Sequence, residues 1–535
     1  TTLLAMSEAP NALLIANVAE MNKCTGFDVV IVCTSNEAQE CYWQRRLEAT
    51  RGQAAPEGCM VLAVHEDWPG GAGNGLGTLY AYTKARAKAR EVHGKDLDAE
   101  LREGASVAMF HTAGKGTRLA PLPGSENNNK PGVKLPGVVY VDGKPSPLTI
   151  LEAVVKQTGV YAASRRGRLS VFWGDQVFVP SVAPAYEARY HADILCSLGP
   201  MLTEEEWKSK GMEKYGLIAV NKEGNAAQVE KVTHATAVRL LSSLGELSAV
   251  GTSLGSFSVS AELLGAFMAE FDAELSAKSG KLDADPHLWM PLTLSEAAYV
   301  ELMGQKGVDA EGARAHHARM RTMLAAFDAG AGAGRPLFGA VDVGQAAYWW
   351  DYGQLHLYMR NNMRVTCPDP EAQAMRLFLG IPEAGCACKS STVADGVAVD
   401  GESRVVGSAL GAGAVARSVL SCCQLGAAAV SDSLLVNVTA RSVSARGCVL
   451  YNVVDDSEEG LRLADGEVRA DIHLPSGDKI VMRSQLDVSG GTAWSTAVCG
   501  NAHSFEQIYK LNMDVDVTAA STSAAAEHAR VAAAL

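Results

Sequence analysis

At its centre the chain reads Ser106-Val-Ala-Met-Phe-His-Thr-Ala-Gly-Lys-Gly-Thr-Arg-Leu119. The apolar run in this stretch predicts a buried parallel strand that ends in a glycine-containing loop. Gly114 and Gly116 allow backbone N–H groups to approach a bound group closely, and Lys115 and Arg118 add positive charge. This combination favours binding of a polyanion such as a triphosphate. The spacing fits neither a Walker A loop nor a dinucleotide-binding fingerprint.

The composition is that of an ordinary globular protein. The 535 residues suffice for two or three domains, with 47% hydrophobic and 20% charged residues. A net charge of −13 argues against a general nucleic-acid binder, and we expect no membrane span. Twelve irregularly spaced cysteines without a secretory signal fit a reducing compartment. We therefore expect a soluble protein of the cytoplasm or of an organelle matrix, in the latter case with a transit segment already removed.

The first of two strand–helix units precedes the central stretch. Residues 27–34 are rich in β-branched side chains and predict a buried strand. Thr34 and Glu37 have the spacing of a capping box, which predicts a helix from this point to about Ala49.

The second unit carries most of the glycines. Residues 60–64 predict a strand, residues 69–78 a glycine-dense loop, and residues 79–92 a helix. Because Gly75, Gly77 and Thr78 would then lie just before a helix start, they favour binding of an anion or a nucleotide base. The alternative is a flexible surface loop.

Two aspartates far apart in the chain are candidate metal ligands. Asp175 follows a strand predicted over residues 169–173, and the carboxyl end of a central strand is where open α/β sheets place their catalytic groups. Asp351 follows an aromatic cluster, with Asp342 as a nearby rival. Two carboxylates and a cationic loop suggest Mg²⁺ bound jointly by protein and substrate phosphates. The alternative for Asp175 is a turn or cap residue.

Residues 215–232 alternate around a turn and predict a β-hairpin. Glu230 and Lys231 fall on its second strand and would point to opposite faces if that strand were regular. Beyond the hairpin, residues 281–333 read as an alanine-rich helical region.

The character of the chain changes near residue 380. Over residues 393–454 an apolar residue recurs about every five or six positions among small residues, which is typical of a parallel β-helix. We predict two domains, residues 1–380 and residues 381–535, the second ending in a helix from about Thr518.

Four separate motifs, in order, resemble those of the sugar-1-phosphate nucleotidylyltransferases, the nucleoside-diphosphate-sugar pyrophosphorylases. They are the signature Ala113-Gly-Lys-Gly-Thr-Arg-Leu119 with Pro121 and Lys134-Leu-Pro136, the first magnesium motif Gly174-Asp175, the sugar-phosphate pair Glu230-Lys231, and the second magnesium motif Trp350-Asp-Tyr-Gly353. The resemblance implies a Rossmann-like (GT-A-like) mixed α/β sheet with helices on both faces, and a β-helical C-terminal domain is common in that family.

The resemblance also implies roles for individual residues. Mg²⁺ would be held by Asp175 and Asp351, and the sugar phosphate by Gly216, Glu230 and Lys231. The catalytic cations would be Lys115, Arg118, Lys134 and Lys231, and the nucleotide would contact Ala113, Gly114, Gly116, Thr117, Lys130, Gly75, Gly77 and Thr78.

One departure from the family pattern concerns motif order. The Gly75-Leu-Gly-Thr-Leu79 segment precedes the signature, whereas the corresponding base-contacting loop usually follows it. The strand units therefore look circularly permuted, similar to the fucose-1-phosphate guanylyltransferase-like branch. The proline usually found before the first signature lysine is replaced by asparagine, which leaves Lys130 and Lys134 as alternatives for the phosphate contact; we favour Lys134.

The sequence predicts an enzyme that transfers a nucleoside monophosphate from a nucleoside triphosphate to a sugar 1-phosphate. An alternative is an inactive relative that serves as a scaffold or regulatory subunit, and a less favoured one is an ATP-dependent kinase. In either of the first two cases, stackable C-terminal coils would support a homo-oligomer or a larger assembly.

Overall fold

The computed structural model describes residues 2–112, 114–241, 244–383 and 388–535. Its helices are α1 Thr2–Met21, α2 Glu37–Ala49, α3 Gly73–His93, α4 Leu97–Arg102, α5 Leu122–Ser125, α6 Ile150–Thr158, α7 Glu204–Ser209, α8 His234–Leu241, α9 Ala261–Glu270, α10 Asp272–Ala277, α11 Met290–Thr293, α12 Glu296–Gln305, α13 Ala310–Asp328, α14 Leu355–Met363, α15 Pro370–Leu379, α16 Phe505–Leu511 and α17 Val517–Ala532. A π-helical turn, Asp285–Trp289, precedes α11.

The N-terminal strands are β1 Val29–Thr34, β2 Met60–His65, β3 Ser106–His111, β4 Lys134–Val141, β5 Lys144–Thr149, β6 Arg168–Trp173, β7 Gln176–Val179, β8 Ala192–Gly199, β9 Gly216–Asn221, β10 Ala226–Glu230, β11 Leu247–Ser260, β12 Phe338–Asp342 and β13 Tyr348–Asp351. The C-terminal strands are β14 Cys388–Lys389, β15 Thr392–Val393, β16 Ala398–Val399, β17 Arg404–Val406, β18 Ala409–Leu410, β19 Gly413–Ala416, β20 Val419–Ser421, β21 Gln424–Ser431, β22 Leu434–Val436, β23 Thr439–Arg446, β24 Val449–Tyr451, β25 Val454–Asp455, β26 Leu461–Arg462, β27 Glu467–His473 and β28 Lys479–Gln485.

A mixed sheet organises the N-terminal part. Its order is β10-β9-β11-β6-β3-β1-β2, with β8 paired to β11 and β12 paired to β8. β2, β1, β3 and β6 are parallel neighbours, whereas β11 is antiparallel to β6, β8 and β9. The carboxyl ends of the parallel strands therefore meet at one edge of the sheet, the place where such sheets bind ligands.

Helices cover both faces of this sheet because the parallel strands are apolar on both sides. Along β1, Val30 belongs to the same buried cluster as Trp43 of α2, whereas Ile31 belongs to the cluster that contains Leu79 of α3. The predicted mixed α/β architecture is thus confirmed.

The helix after β1 begins differently from the predicted one. Asn36 caps α2, and its side chain accepts a hydrogen bond from the backbone N–H of Gln39. Thr34 is completely buried at the end of β1, where its hydroxyl lies within hydrogen-bond distance of the carbonyls of Val64 and Asn36. The predicted capping box is wrong because the buried strand extends through Thr34.

The C-terminal part is rich in short parallel strands. Val405, Leu420, Leu435 and Leu450 are successive partners in one ladder, β17-β20-β22-β24. Serine hydroxyls accept backbone N–H bonds from residues 15 positions further on, as in Ser403 to Ser418 and Ser418 to Ser433. The strands therefore stack with a 15-residue repeat. Each repeat contains three of the apolar positions that recur about every five residues in the sequence.

The two parts of the chain are in direct contact. Helix α5 packs on β27, and α17 packs on α2. Helix α15 ends at Leu379, directly before the predicted boundary at residue 380. Within the described ranges no helix combines the length and apolar character needed to cross a membrane.

Candidate active site

A cavity of about 490 Å³ opens at the carboxyl edge of the parallel strands. Its walls come from the residues that follow β2, β3 and β6, from the first turn of α3, and from two irregular segments near residues 130 and 283. The charged and polar side chains that line it include Glu66, Asn74, His111, Lys130, Asp175 and Asp283. The cavity therefore gathers side chains from segments that are far apart in the sequence.

Asp175 lies in this cavity just after β6, as its position in the sequence predicts. Its Oδ2 accepts from Nζ of Lys130 at 2.5 Å, and both side chains are mostly buried. The carboxylate of Asp175 and the ammonium group of Lys130 therefore form an ion pair at the wall of the cavity.

Asp351 is brought beside Asp175 by an antiparallel pairing of β7 with β13. In this pairing Asp351 lies opposite Gln176, the neighbour of Asp175. A Cβ placed on Gly353 would lie 3.0 Å from Oδ1 of Asp351 and 3.9 Å from both Oδ2 of Asp175 and Nη2 of Arg118. The two predicted metal ligands and the signature arginine thus surround one small space, although 176 positions of sequence separate the two aspartates.

The signature loop has the conformation that its glycines predict. Gly114 and Gly116 have φ values of 128° and 63°, which favour glycine. A Cβ on Gly116 would also lie 3.1 Å from Lys130 and from Pro123. Ala113 lies outside the described residues. Thr117 is packed from the C-terminal part, because a Cβ on Gly490 would come within 2.3 Å of its carbonyl oxygen.

Two of the predicted catalytic lysines lie elsewhere. Nζ of Lys115 is 5.3 Å from the ring centroid of Tyr509, on the side of the C-terminal part. Lys134 forms a close ion pair with Glu126 and lines a second cavity, of about 350 Å³, between the two parts of the chain. Lys130, rather than Lys134, is therefore the signature lysine in the Asp175 cavity, and our preference for Lys134 is not supported by the geometry.

The predicted glycine-dense loop is largely helix. Helix α3 begins at Gly73, so Gly75, Gly77 and Thr78 lie within its first two turns and are buried. A Cβ on Gly73 or Gly75 would lie 2.6 or 2.8 Å from the carbonyl oxygen of Leu282. These glycines allow backbone segments to touch each other, and Gly71, Gly73 and Asn74 are the residues of this stretch that line the cavity.

His111, at the end of β3, was missed by the sequence analysis. Its Nε2 lies 2.8 Å from Oγ1 of Thr78, whose hydroxyl donates to the carbonyl of Asn74. Because the hydroxyl has one proton, we assign the N–H to Nε2 and leave Nδ1 as an acceptor. Burial lowers the pKa of His111 to about 4, so the ring is neutral at neutral pH.

Glu230 and Lys231 lie together, not on opposite faces. Strand β10 ends at Glu230, and Lys231 has a φ of 56°, so the regular alternation stops there. Nζ of Lys231 is 2.7 Å from Oε1 of Glu230, and Nζ of Lys306 is 2.7 Å from Oε2. Burial raises the pKa of Glu230, but these two ammonium groups outweigh it and hold the pKa below its usual value. Gly216 lies directly opposite Glu230.

Asp283 and Asp285 were also missed, because they fall in a region predicted as continuous helix. Asp283 lines the main cavity, and its Oδ1 accepts from the backbone N–H of Asn74 at 3.1 Å. Asp285 begins the π-helical turn that faces β10. Burial raises the pKa of Asp285 to about 6; Glu230 adds to this shift, whereas Gln228, Lys231 and Lys306 oppose it.

Glu66 and His111 could have been found from the sequence by the reasoning used for Asp175. Each lies at or just beyond the carboxyl end of a parallel strand, β2 and β3 respectively. Asp283 and Asp285 carry no such signal, because the segment that contains them reaches the site through tertiary packing alone.

Comparison with protein-family models and with curated proteins found no match for this sequence. The family resemblance of the four motifs therefore remains a prediction that rests on the residues themselves.

An Asp285→Asn variant tests the electrostatics of this region. With a folded pKa near 6 and an unfolded pKa near the ordinary value, the wild-type protein loses stability as the pH rises from about 4 to about 6. The groups around Asp285 are Gln228, Glu230, Lys231 and Lys306. We expect the neutral asparagine to raise the free energy of unfolding by about 1–3 kcal/mol at pH 8 and to leave it nearly unchanged at pH 4.

Urea denaturation at the two pH values measures this difference. The matched control is Asp395→Asn, because Asp395 is exposed in a turn of the C-terminal part. A stability gain that is the same at pH 4 and pH 8 would contradict a titrating Asp285.

Proposed function

We propose that this protein is a sugar-1-phosphate nucleotidylyltransferase, which converts a nucleoside triphosphate and a sugar 1-phosphate into a nucleotide sugar and pyrophosphate. The observation that carries the proposal is the convergence of Asp175, Asp351 and Arg118 around Gly353, with Lys130 on Asp175. Two carboxylates beside two cations suit a reaction whose reactants and leaving group are all phosphates.

The donor set fits Mg²⁺. Asp175 and Asp351 offer hard oxygen ligands near one point, and Mg²⁺ commonly uses one or two carboxylates and completes its shell with water and substrate phosphates. Among the described residues no cluster of three or more acidic, histidine or cysteine side chains forms a metal site, so the phosphates would have to supply the remaining ligands. When bound, the ion would polarise the phosphate oxygens and neutralise their charge.

The reaction needs positioning more than proton transfer. A phosphate monoester is already largely dianionic at neutral pH, with a second pKa of about 6, so its oxygen attacks the α-phosphorus without a general base. The new bond joins this oxygen to the α-phosphorus, and the bond to the β-phosphate oxygen breaks with release of pyrophosphate. In this proposal Arg118 and Lys130, both beside Asp175, would neutralise the charge on pyrophosphate, and Lys231, beside Glu230, would hold the sugar phosphate.

Two features of the fold support the proposal. The parallel strands β1 and β2 extend the sheet beyond β3, which is consistent with a nucleotidyltransferase sheet whose first units were moved in front of the signature. We infer that the C-terminal strands, stacked with a 15-residue repeat, form a parallel β-helix. Stacked coils of this kind would also offer surfaces for a homo-oligomer.

A pyrophosphate-exchange assay with Mg²⁺ over a panel of nucleotides and sugar 1-phosphates tests the proposal. We expect label from pyrophosphate to enter one nucleoside triphosphate only when the matching nucleotide sugar is present. Absence of exchange with every pair, together with a stably co-purifying partner, would favour an inactive scaffold. A phosphorylated sugar as the product would favour a kinase.

A further inference from the structure

The second cavity, of about 350 Å³, lies where the two parts of the chain meet, and we call it the interface cavity. Its walls come from α2, from the β4–β5 hairpin, from the ends of C-terminal strands and from α17. The ionisable side chains that line it include Arg46, Glu126, Lys134, Lys144, His473 and His528. It shares no lining residue with the cavity that contains Asp175, so it is a separate space.

Glu126 is the acidic side chain of this lining, and its charge is already matched. It forms a close ion pair with Lys134 and accepts from the hydroxyl of Tyr451. The amide of Asn452 donates to the same carboxylate at 2.8 Å. A carboxylate with three donors around it presents little free negative charge to the cavity.

Two donors of the interface cavity have no partner. Among the described residues, the ammonium group of Lys144 has no acidic partner and the hydroxyl of Tyr42 forms no hydrogen bond. Burial raises the pKa of Tyr42, so this hydroxyl keeps its proton. Arg46, in contrast, is matched by Glu152 at 2.7 Å. The lining therefore offers one unmatched positive charge and one further hydrogen-bond donor.

The two histidines bring no charge into the cavity at neutral pH. Burial lowers the pKa of His473, and it lowers that of His528 to about 3. The ammonium groups of Lys134 and Lys479 add to both shifts. The charge of the lining is therefore set by its lysines, its arginine and Glu126.

A small anion that carries a phosphate group suits this cavity. Ammonium and phenolic groups are good donors to phosphate oxygens, and a phosphate offers three terminal oxygens to Lys134, Lys144 and Tyr42. The volume lies at the lower end of the range of small-molecule pockets, about 300–1,000 Å³. It therefore fits one phosphate group with a small remainder better than a nucleoside triphosphate.

One stretch of chain, the linking segment of residues 125–134, borders both cavities. Its first three residues and Lys134 line the interface cavity, whereas Lys130 lines the cavity that contains Asp175. The hydroxyl of Tyr451 accepts from the backbone N–H of Lys134 at 2.8 Å while it donates to Glu126. A change in the partners of Lys134 therefore acts on the segment that positions Lys130.

We propose that the interface cavity binds a small phosphate-bearing anion, and that its occupancy regulates the Asp175 cavity through the linking segment. Bound to Lys134, Lys144 and Tyr42, the anion would join the linking segment to the β4–β5 hairpin and to α2. This bridge would restrain the segment and so preorganise Lys130. The anion site does not depend on the proposed nucleotidyl transfer, whereas the regulatory effect rests on it.

Isothermal titration calorimetry with inorganic phosphate and with glucose 6-phosphate tests the site. We expect Lys144→Gln to weaken the binding of these probes about tenfold, and Lys144→Arg to retain it. Lys130→Met should bind them as the wild type does, because its cation lies in the other cavity. Lys210→Gln is the matched control: this exposed lysine at the end of α7 has no acidic partner in the described ranges. Binding of both probes would identify the phosphate group itself as the ligand, and binding of glucose 6-phosphate alone would identify an ester.

Three results would overturn the anion site. They are no binding of either probe at millimolar concentrations, equal affinity in the wild type and Lys144→Gln, and loss of binding in Lys130→Met, which would place the anion in the Asp175 cavity.

The regulatory effect is measured in the pyrophosphate-exchange assay at saturating nucleotide sugar and in the forward reaction at saturating sugar 1-phosphate. We expect the bound probe to lower the KM for the nucleoside triphosphate about fivefold in the wild type and to leave it unchanged in Lys144→Gln. An unchanged KM in the wild type would overturn the regulation. If the protein catalyses no reaction with any pair, the proposed function and the regulation fail together, and calorimetry still decides the anion site.

Discussion

An Asp175→Asn variant should lose nucleotidyl transfer by a factor of about a thousand or more. The substitution keeps the shape of the side chain and removes one of the two charges that face the space beside Gly353. It also leaves Lys130 without its carboxylate partner, 2.5 Å away in the wild-type protein. The remaining carboxylate, Asp351, already accepts from the backbone N–H of Gly353, so we expect it not to hold the proposed Mg²⁺ alone.

The measurements are turnover as a function of Mg²⁺ concentration and the thermal midpoint. We expect Asp351→Asn to behave in the same way as Asp175→Asn, and the exposed Asp395→Asn to behave as wild type. The side chain of Asp175 is 27% exposed. We therefore expect asparagine to change the thermal midpoint by a few degrees at most. Near-normal activity of Asp175→Asn at saturating substrates would contradict its assignment as a metal ligand.

The second large effect separates the two signature lysines. Lys130→Met removes the cation in the Asp175 cavity, and we expect kcat/KM to fall by about a hundredfold or more with little change in stability. Lys134→Met removes the ion-pair partner of Glu126, which is buried and otherwise held by Tyr451 and Asn452. We expect that variant to lose about 2–4 kcal/mol of stability and, where it is folded, to keep activity within a few fold.

Steady-state kinetics at a temperature where both variants are folded, together with urea denaturation, distinguish these outcomes. The two substitutions serve as controls for each other because they remove the same charge from neighbouring positions. If Lys134→Met lost catalysis and Lys130→Met lost only stability, Lys134 would be the phosphate-binding lysine after all.

The sheet of the N-terminal part could be predicted from the sequence to within a few residues. The parallel strands β1, β2, β3 and β6 are runs of buried apolar residues, and that signal depends only on local composition. The start of α3 could not be predicted in this way, because glycines at positions 73 and 75 disfavour a helix locally. The helix forms there because Leu282 packs against those glycines, a contact made across 200 or more residues.

In the C-terminal repeat, too, the local sequence predicted the kind of structure but not which strands pair. A β-branched residue or leucine at every fifth or sixth position indicated stacked coils, because each coil must bury a side chain from each of its short faces. Which strands pair is decided by the parallel ladders and by serine hydroxyls that accept from backbone N–H groups 15 residues further along the chain.

For the candidate site, the sequence by itself determined the residues that follow local rules. Asp175 comes directly after a buried strand, and Gly114 and Gly116 lie where positive φ values are needed. The tertiary structure alone decided that Asp351 lies beside Asp175, that Lys130 and not Lys134 enters the cavity, and that Asp283 lines it. The physical reason is that strand burial and turn conformation are read from neighbours in the sequence, whereas the meeting of charged side chains depends on strand pairing and helix packing between segments more than a hundred residues apart.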